Sequence, residues 1–159
     1  MNPSVYVETS VISYLSAKQS RDIVVAAHQQ LTRQWWRNRS SYRLFVSQIV
    51  RDEAAVGDRT ARARRLRVLR GVPALAVTDE ATRLAGELVR RGALPKKATV
   101  DAFHIGIAAA HQIEYLLTWN CKHIANATMR GTIEAICRSA GLIPPIICTP
   151  EELPPGSSP

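Results

Sequence analysis

The 159-residue sequence predicts an α/β fold with a mainly parallel sheet and helices on both faces. Three observations carry that expectation. Short apolar runs such as Val5-Tyr6-Val7 and Tyr115-Leu116-Leu117 lack polar alternation, as strands covered on both faces do. Segments of helical period separate these runs, in the order β-α-α-β-α-α-β-α-α-β-α-β. One helix, Thr99 to His111, is apolar almost all round and belongs against the middle of a sheet.

The elements follow in order. Glu8 ends the first strand, and Thr9 or Ser10 can cap a short helix through Val11, Ile12 and Leu15. Ser20 opens a longer helix whose stripe is Ile23, Ala27, Leu31 and Trp35, with Val24, His28 and Trp36 alongside. Arg33, Arg37 and Arg39 make its far end basic. Tyr42 to Val46 is a second strand, and Ser47 caps a helix carrying Asp52 and Glu53 that ends at Gly57. From Arg59 to Arg70 six arginines spread over much of a helical wheel, leaving only a narrow stripe to bury. That helix reads equally as a solvated basic surface and as a rim facing RNA or a partner.

Val72 to Val77 is the third expected strand, and Thr78 caps a helix with Asp79 and Glu80 in its first turn. Gly92 and Pro95 close it, and Lys96 and Lys97 precede the apolar helix, where Val100, Phe103, Ile107 and Ala110 make the stripe and Ile105 and Ala108 widen it. Asp101 stands in its first turn, where a carboxylate can serve simply as an acceptor for free backbone N–H groups. A turn with His123 and Ile124, a helix from about Thr128 to Ala140, and the strand Ile146 to Cys148 complete the fold. Glu151 to Pro159, rich in Pro, Gly and Ser, reads as a frayed tail, so one domain is expected over residues 1–153 with residues 154–159 disordered.

Composition narrows the function. Hydrophobic residues make up 46% of the chain, enough for a real core. No stretch approaches the roughly 18 apolar residues of a membrane span, and no basic n-region precedes Val5, so neither membrane nor signal peptide is expected. Cys121, Cys137 and Cys148 lack CxxC spacing and read as reduced thiols of a cytoplasmic protein. Cys121 and His123 offer two ligands at most, too few for a zinc site. The net charge of +8 favours a polyanionic partner, nucleic acid first, and arginine, which dominates it, makes bidentate phosphate contacts. There is no GxxxxGK[ST] and no GxGxxG, which weighs against a nucleotide-binding domain.

In parallel α/β sheets ligands bind at the carboxyl ends of the strands. Glu8 follows the first strand, Glu53 lies on the helix after the second, Asp101 opens a later helix, and Asn120 follows the fourth strand. Singly, each reads as a cap or a surface polar group. Together they place three carboxylates and an amide at one sheet edge, and unpaired carboxylates so placed repel one another. A hard divalent cation removes that repulsion, and oxygen ligands select Mg²⁺ or Mn²⁺.

Val5 through Ser13, Ser47 through Glu53, Asp101 through Ile105 and Leu116 through Asn120 together resemble a PIN domain, and more narrowly the VapC-like toxins of bacterial toxin–antitoxin pairs. The resemblance implies a PIN-like three-layer α/β/α fold with about five strands and a metal-dependent endoribonuclease. Its acids match Glu8, Glu53 and Asp101, which would hold Mg²⁺ or Mn²⁺. Asn120 stands where the fourth acid is expected, and it offers an oxygen without charge. Glu8 stands where Asp is common and reaches one methylene further. Thr9, Ser10 and Thr118 could supply hydroxyls to the site or to a water, and read equally well as caps and turn residues. RNA, an antitoxin and a second copy of the chain are the implied partners, with the Trp35-Trp36 helix a candidate interface. The alternative is a PIN-like RNA-binding or protein-binding module with weak catalysis, for which Asn120 argues.

Overall fold

The computed structural model of the protein describes residues 1–154, and the statements below concern those residues. The expected tail therefore lies, from residue 155 onward, outside the described residues.

A five-stranded sheet has the order β3-β2-β1-β4-β5. Its strands are β1 (Ser4–Val7), β2 (Arg43–Ser47), β3 (Ala74–Leu75), β4 (Tyr115–Leu117) and β5 (Ile146–Cys148). All four pairings are parallel, with Tyr6 of β1 opposite Phe45 of β2 on one side and Leu116 of β4 on the other. Val5, Tyr6 and Val7 are fully buried, which explains why the central strand carries no polar alternation. The chain builds outward from β1 to β3, then crosses back to start β4 on the other flank. The order thus reverses between β1 and β4, and a parallel sheet opens its crevice there.

Helices α1 (Thr9–Ser16), α2 (Ile23–Arg37), α3 (Gln48–Ala54) and α4 (Arg59–Val68) form one set, in which α1 touches the other three. In the second set α5 (Asp79–Arg90) packs on α6 (Thr99–Ala110) and α7 (Ala127–Ser139), completing the three-layer α/β/α arrangement. The contact of α5 with α6 is close because its residues are small. Ala81, Ala85, Ala102 and Ala109 are buried there, and a Cβ on Gly106 would meet the Ala81 carbonyl oxygen at 2.5 Å. Among the described residues no helix is long and apolar enough to cross a membrane.

Several local expectations hold. Ser47 Oγ accepts from the Val50 N–H at 3.3 Å and Thr78 Oγ1 from the Ala81 N–H at 3.1 Å. Gly141 ends α7 with φ 77°, and the Leu142 N–H reaches back to the Cys137 carbonyl at 3.0 Å. Burial raises the Cys137 thiol to about 11 and the Cys148 thiol to about 12, so both stay protonated at neutral pH.

Others are corrected. The third strand shrinks from Val72–Val77 to Ala74–Leu75, an edge strand paired with β2 alone, because Pro73 has no N–H and Val77 is 41% exposed. The cap of α1 is Glu8 rather than Thr9 or Ser10, and α2 is capped by Asp22, two residues after Ser20. The buried face of α2 is turned from the expected one: Gln29, Thr32 and Trp35 are buried, while Ile23 and Val24 are 86% and 62% exposed. Non-local hydrogen bonds cause this. Gln29 accepts from the Ser20 N–H and donates to the Lys18 carbonyl, and Thr32 Oγ1 accepts from Trp119 Nε1–H at 2.7 Å. Trp35, stacked on Tyr42, belongs to the core and not to an exposed interface. Val100, assigned to the α6 stripe, is 47% exposed. Glu151 and Glu152 form a turn in which the Thr149 N–H donates to Glu152, and Leu153 is buried beside it.

Helix α4 buries none of its residues, and one of its arginines does structural work. The Arg65 guanidinium donates to the Ala54 carbonyl at 3.0 Å and to the Val56 carbonyl, satisfying groups freed at the end of α3. Arg65→Ala is expected to cost about 1.5–3 kcal/mol, the range of hydrogen bonds to charged groups. Chemical denaturation checks this, and a loss under about 0.5 kcal/mol would mean that water replaces the guanidinium.

Candidate active site

Glu8 leaves the end of β1 and is nearly buried, 4% exposed. Its Oε2 accepts from the Ser10 N–H at 3.1 Å, from the Ser10 hydroxyl, and from the Thr118 hydroxyl at 2.7 Å. Each hydroxyl in turn accepts a backbone N–H from the segment after β4: Ser10 Oγ from Trp119 at 2.8 Å and Thr118 Oγ1 from Asn120 at 2.9 Å. The crevice between β1 and β4 is thus stitched together around one carboxylate oxygen. Oε1 of Glu8 accepts no hydrogen bond among the described residues.

Glu53 comes from α3, which Ser47 starts at the end of β2. Its Oε1 accepts from the Thr9 hydroxyl at 2.7 Å and faces His104 Nε2 at 2.9 Å. Burial pushes this carboxyl up, yet the hydrogen bonds from His104 and Thr9 outweigh it and hold the group below its ordinary value. His104 is fully buried, and its Nδ1 meets the Tyr6 hydroxyl at 2.8 Å, itself 2.7 Å from Ser47 Oγ. Burial disfavours the imidazolium, but the Glu53 hydrogen bond and the charges of Glu8, Glu53 and Asp101 prevail and raise its pKa.

Asp101 lies in the first turn of α6, three residues before His104 and so on the same helix face. It does not cap its own helix, whose N-terminus has no side-chain cap. Oδ1 accepts from Asn120 Nδ2 at 3.0 Å, and Oδ2 faces His123 Nδ1 at 2.9 Å. Asn120 Oδ1 accepts the His123 backbone N–H at 3.1 Å, closing a ring of three residues.

The expected residues therefore fall into two linked groups. Glu8, Glu53 and His104 offer ligand atoms that all lie within 4.8 Å of one another, and Asp101 is not part of that trio. Asp101, Asn120 and His123 form the second group, joined to the first through Thr118 and the α6 face. The hydroxyls of Thr9, Ser10 and Thr118 hydrogen-bond to Glu53 and Glu8. His123 is spent on Asp101, which removes the only partner considered for a Cys121 zinc site.

His104, His123, Tyr6 and Ser47 escaped the sequence reading as site residues. For the histidines a signal existed: each lies three positions after a polar residue already singled out, Asp101 and Asn120. Tyr6 and Ser47 gave none, since one looks like core and the other like a cap.

The donor set fits a divalent cation. Two buried or half-buried carboxylates converge with one oxygen unpartnered, and an imidazole stands within ligand reach of both.

A family model confirms what this geometry suggests: the chain belongs to the PIN domain family, matched over residues 5–126. Two solved structures are similar in fold. One is VapBC2 from Rickettsia felis bound to a DNA fragment from their promoter, at 15% identity over 92% of this chain and 98% of that one, TM-score 0.55. The other is VapC20 of Mycobacterium tuberculosis, a sarcin-ricin loop cleaving toxin, at 20% identity over 77% of this chain and 95% of that one, TM-score 0.58. No curated protein matches the sequence.

Proposed function

We propose that this protein is a metal-dependent endoribonuclease, the toxin of a VapC-like toxin–antitoxin pair, acting in the cytoplasm. The observation that carries the reading is the convergence of Glu8, Glu53 and His104 at the carboxyl ends of β1 and β2, beside the reversal of strand order, in a PIN-family chain.

Glu8 and Glu53 would hold Mg²⁺ or Mn²⁺, with Asp101 reaching the ion through water. A cation there supplies activated water and neutralises charge on the scissile phosphate. Thr9, Ser10 and Thr118 fix the carboxylates so that free oxygens face the crevice. Asp101 and Asn120 orient the attacking water or the phosphate, and His123 keeps Asp101 in place. In-line attack at phosphorus breaks the bond to the 3′ oxygen, leaving 3′-hydroxyl and 5′-phosphate ends. An antitoxin would cover the acidic crevice. A homodimer would use the outward face of α2, where Ile23 and Val24 are exposed, rather than its tryptophans.

Incubating the purified protein with total cellular RNA and Mn²⁺ or Mg²⁺, then sequencing the ends, tests the reading. Discrete 5′-phosphate ends that vanish with chelator are expected. Cleavage unchanged by chelator would overturn it. A specific observation favours the alternative of a weakly catalytic RNA-binding module: both oxygens of Asp101 are already engaged, and Asn120 adds no charge. Binding without cleavage under every divalent ion would select that module.

The basic surface should serve RNA in either case. Arg62 and Arg67 are exposed on α4 and carry none of the structural bonding of Arg65. Replacing both with glutamine is expected to lower the salt slope of RNA binding by about one to two units, given roughly 0.7 to 0.9 per lost phosphate contact. An unchanged slope would place RNA elsewhere.

A further inference from the structure

We propose that His104 is itself a ligand of the catalytic cation, making the centre a Glu8–Glu53–His104 nitrogen–oxygen site that selects Mn²⁺ and later first-row ions over Mg²⁺. The proposal rests on the reading of this cluster as a metal centre.

Geometry supports it first. Two donors each about 2.1 Å from one ion stand about 3.0 Å apart at a right angle and about 4.2 Å apart when opposite. His104 Nε2 lies 2.9 Å from Glu53 Oε1 and 3.9 Å from Glu8 Oε1. Both separations fall close to that range, and ligand atoms of all three residues lie within 4.8 Å of one another, so they can converge on one ion.

The surroundings support it second. A ligating histidine typically donates its other ring N–H to a partner that fixes its tautomer. Here Nδ1 sits 2.8 Å from the Tyr6 hydroxyl, on the central strand, and Ser47 holds that hydroxyl in turn. A bound cation would take the place of the Nε2 proton shared with Glu53, leaving the other ring proton on Nδ1 toward the Tyr6 hydroxyl. Tyr6 and His104 are both fully buried, so the imidazole cannot swing out to solvent. Glu8 Oε1 is unpartnered on the same side, because Ser10 and Thr118 take Oε2.

Chemistry then sets the preference. Mg²⁺ takes oxygen ligands and sheds water reluctantly, whereas imidazole suits later divalent ions. Asp101, which would have made the set all-oxygen, is turned to Asn120 and His123. The competing account treats His104 only as a charged bridge that keeps Glu8 and Glu53 together.

The test measures binding directly. The unsubstituted protein is loaded with Mn²⁺, and electron spin-echo spectroscopy reads coupling to a directly bound ¹⁴N nucleus. Calorimetry with Mn²⁺ and with Mg²⁺ accompanies it, on the parent, His104→Gln, His123→Gln, Tyr6→Phe and Glu8→Gln. Nitrogen coupling is expected in the parent and in His123→Gln, and is lost in His104→Gln. Mn²⁺ affinity should fall about tenfold or more in His104→Gln and about tenfold in Tyr6→Phe, with a much smaller change for Mg²⁺. Bound Mn²⁺ without nitrogen coupling, its affinity lost in Glu8→Gln, would overturn the histidine ligand and keep the metal centre. Coupling that disappears in His123→Gln instead would also overturn it. Mn²⁺ affinity unaffected by Glu8→Gln would remove the metal centre itself. The parent spectrum stands even if His104→Gln fails to fold.

Discussion

Glu8→Gln is expected to lower the rate of RNA cleavage about a thousandfold while the protein stays folded. The carbonyl of glutamine can still accept from Ser10 and Thr118, so the stitching between β1 and β4 survives. The amide nitrogen then takes the place of Oε1 and turns N–H groups toward the crevice where an oxygen lone pair is needed. A carboxylate that holds a catalytic cation contributes several kcal/mol of transition-state stabilisation, and each 1.36 kcal/mol is tenfold in rate. Single-turnover cleavage with Mn²⁺, together with circular dichroism, checks both halves. A variant that cleaves within about tenfold of the parent would take Glu8 out of the reaction.

Gly106→Ala should be the most damaging small substitution in the fold. In an open helix this change gains about 0.8–1 kcal/mol from propensity. Here the new Cβ would sit 2.5 Å from the Ala81 carbonyl oxygen and 3.3 Å from its carbon, both backbone atoms of α5. No rotamer relieves such a contact, so the two helices must separate along a seam of buried alanines. Overpacking of this kind costs about 1–3 kcal/mol or more, and we expect a net loss near the top of that range. At about 2–4 °C per kcal/mol the melting temperature falls by roughly 5–10 °C. The shift also moves the helix that carries Asp101 and His104, so metal affinity should weaken with it. A melting temperature at or above the parent's would show that the seam has slack.

Much of this was readable from the chain. The order of elements follows from short apolar runs and helical periods, and the caps at Ser47 and Thr78 are local chemistry. What escaped depends on partners far along the sequence. Ile23 and Val24 rank as core by hydropathy, yet Gln29 and Thr32 occupy that place because Lys18, Ser20 and Trp119 satisfy them. The site divided in the same way. Glu8 and Glu53 follow strand ends, so topology alone brings them near each other. His104 hid in an apolar helix, where a titratable side chain reads as an exception until Tyr6 and Glu53 are seen on either side of it. Arg65 looked like the neighbouring arginines because its carbonyl acceptors, Ala54 and Val56, lie at and just beyond the end of the preceding helix.

The position of β1 has a consequence for synthesis. Strand β1 precedes both strands that pair with it, β2 and β4, and Glu8 at its end meets one of its hydrogen-bond partners only far downstream. Thr118 closes the Glu8 cradle across a sequence separation of 110, and Tyr6 reaches His104 across 98. Loops of that span close late, since chain entropy opposes them until neighbouring contacts already hold. A nascent chain therefore carries Glu8 through most of translation with only the local Ser10 contacts within reach. The cradle around Glu8 is complete only when β4 docks, because that brings the Thr118 hydroxyl to the carboxylate.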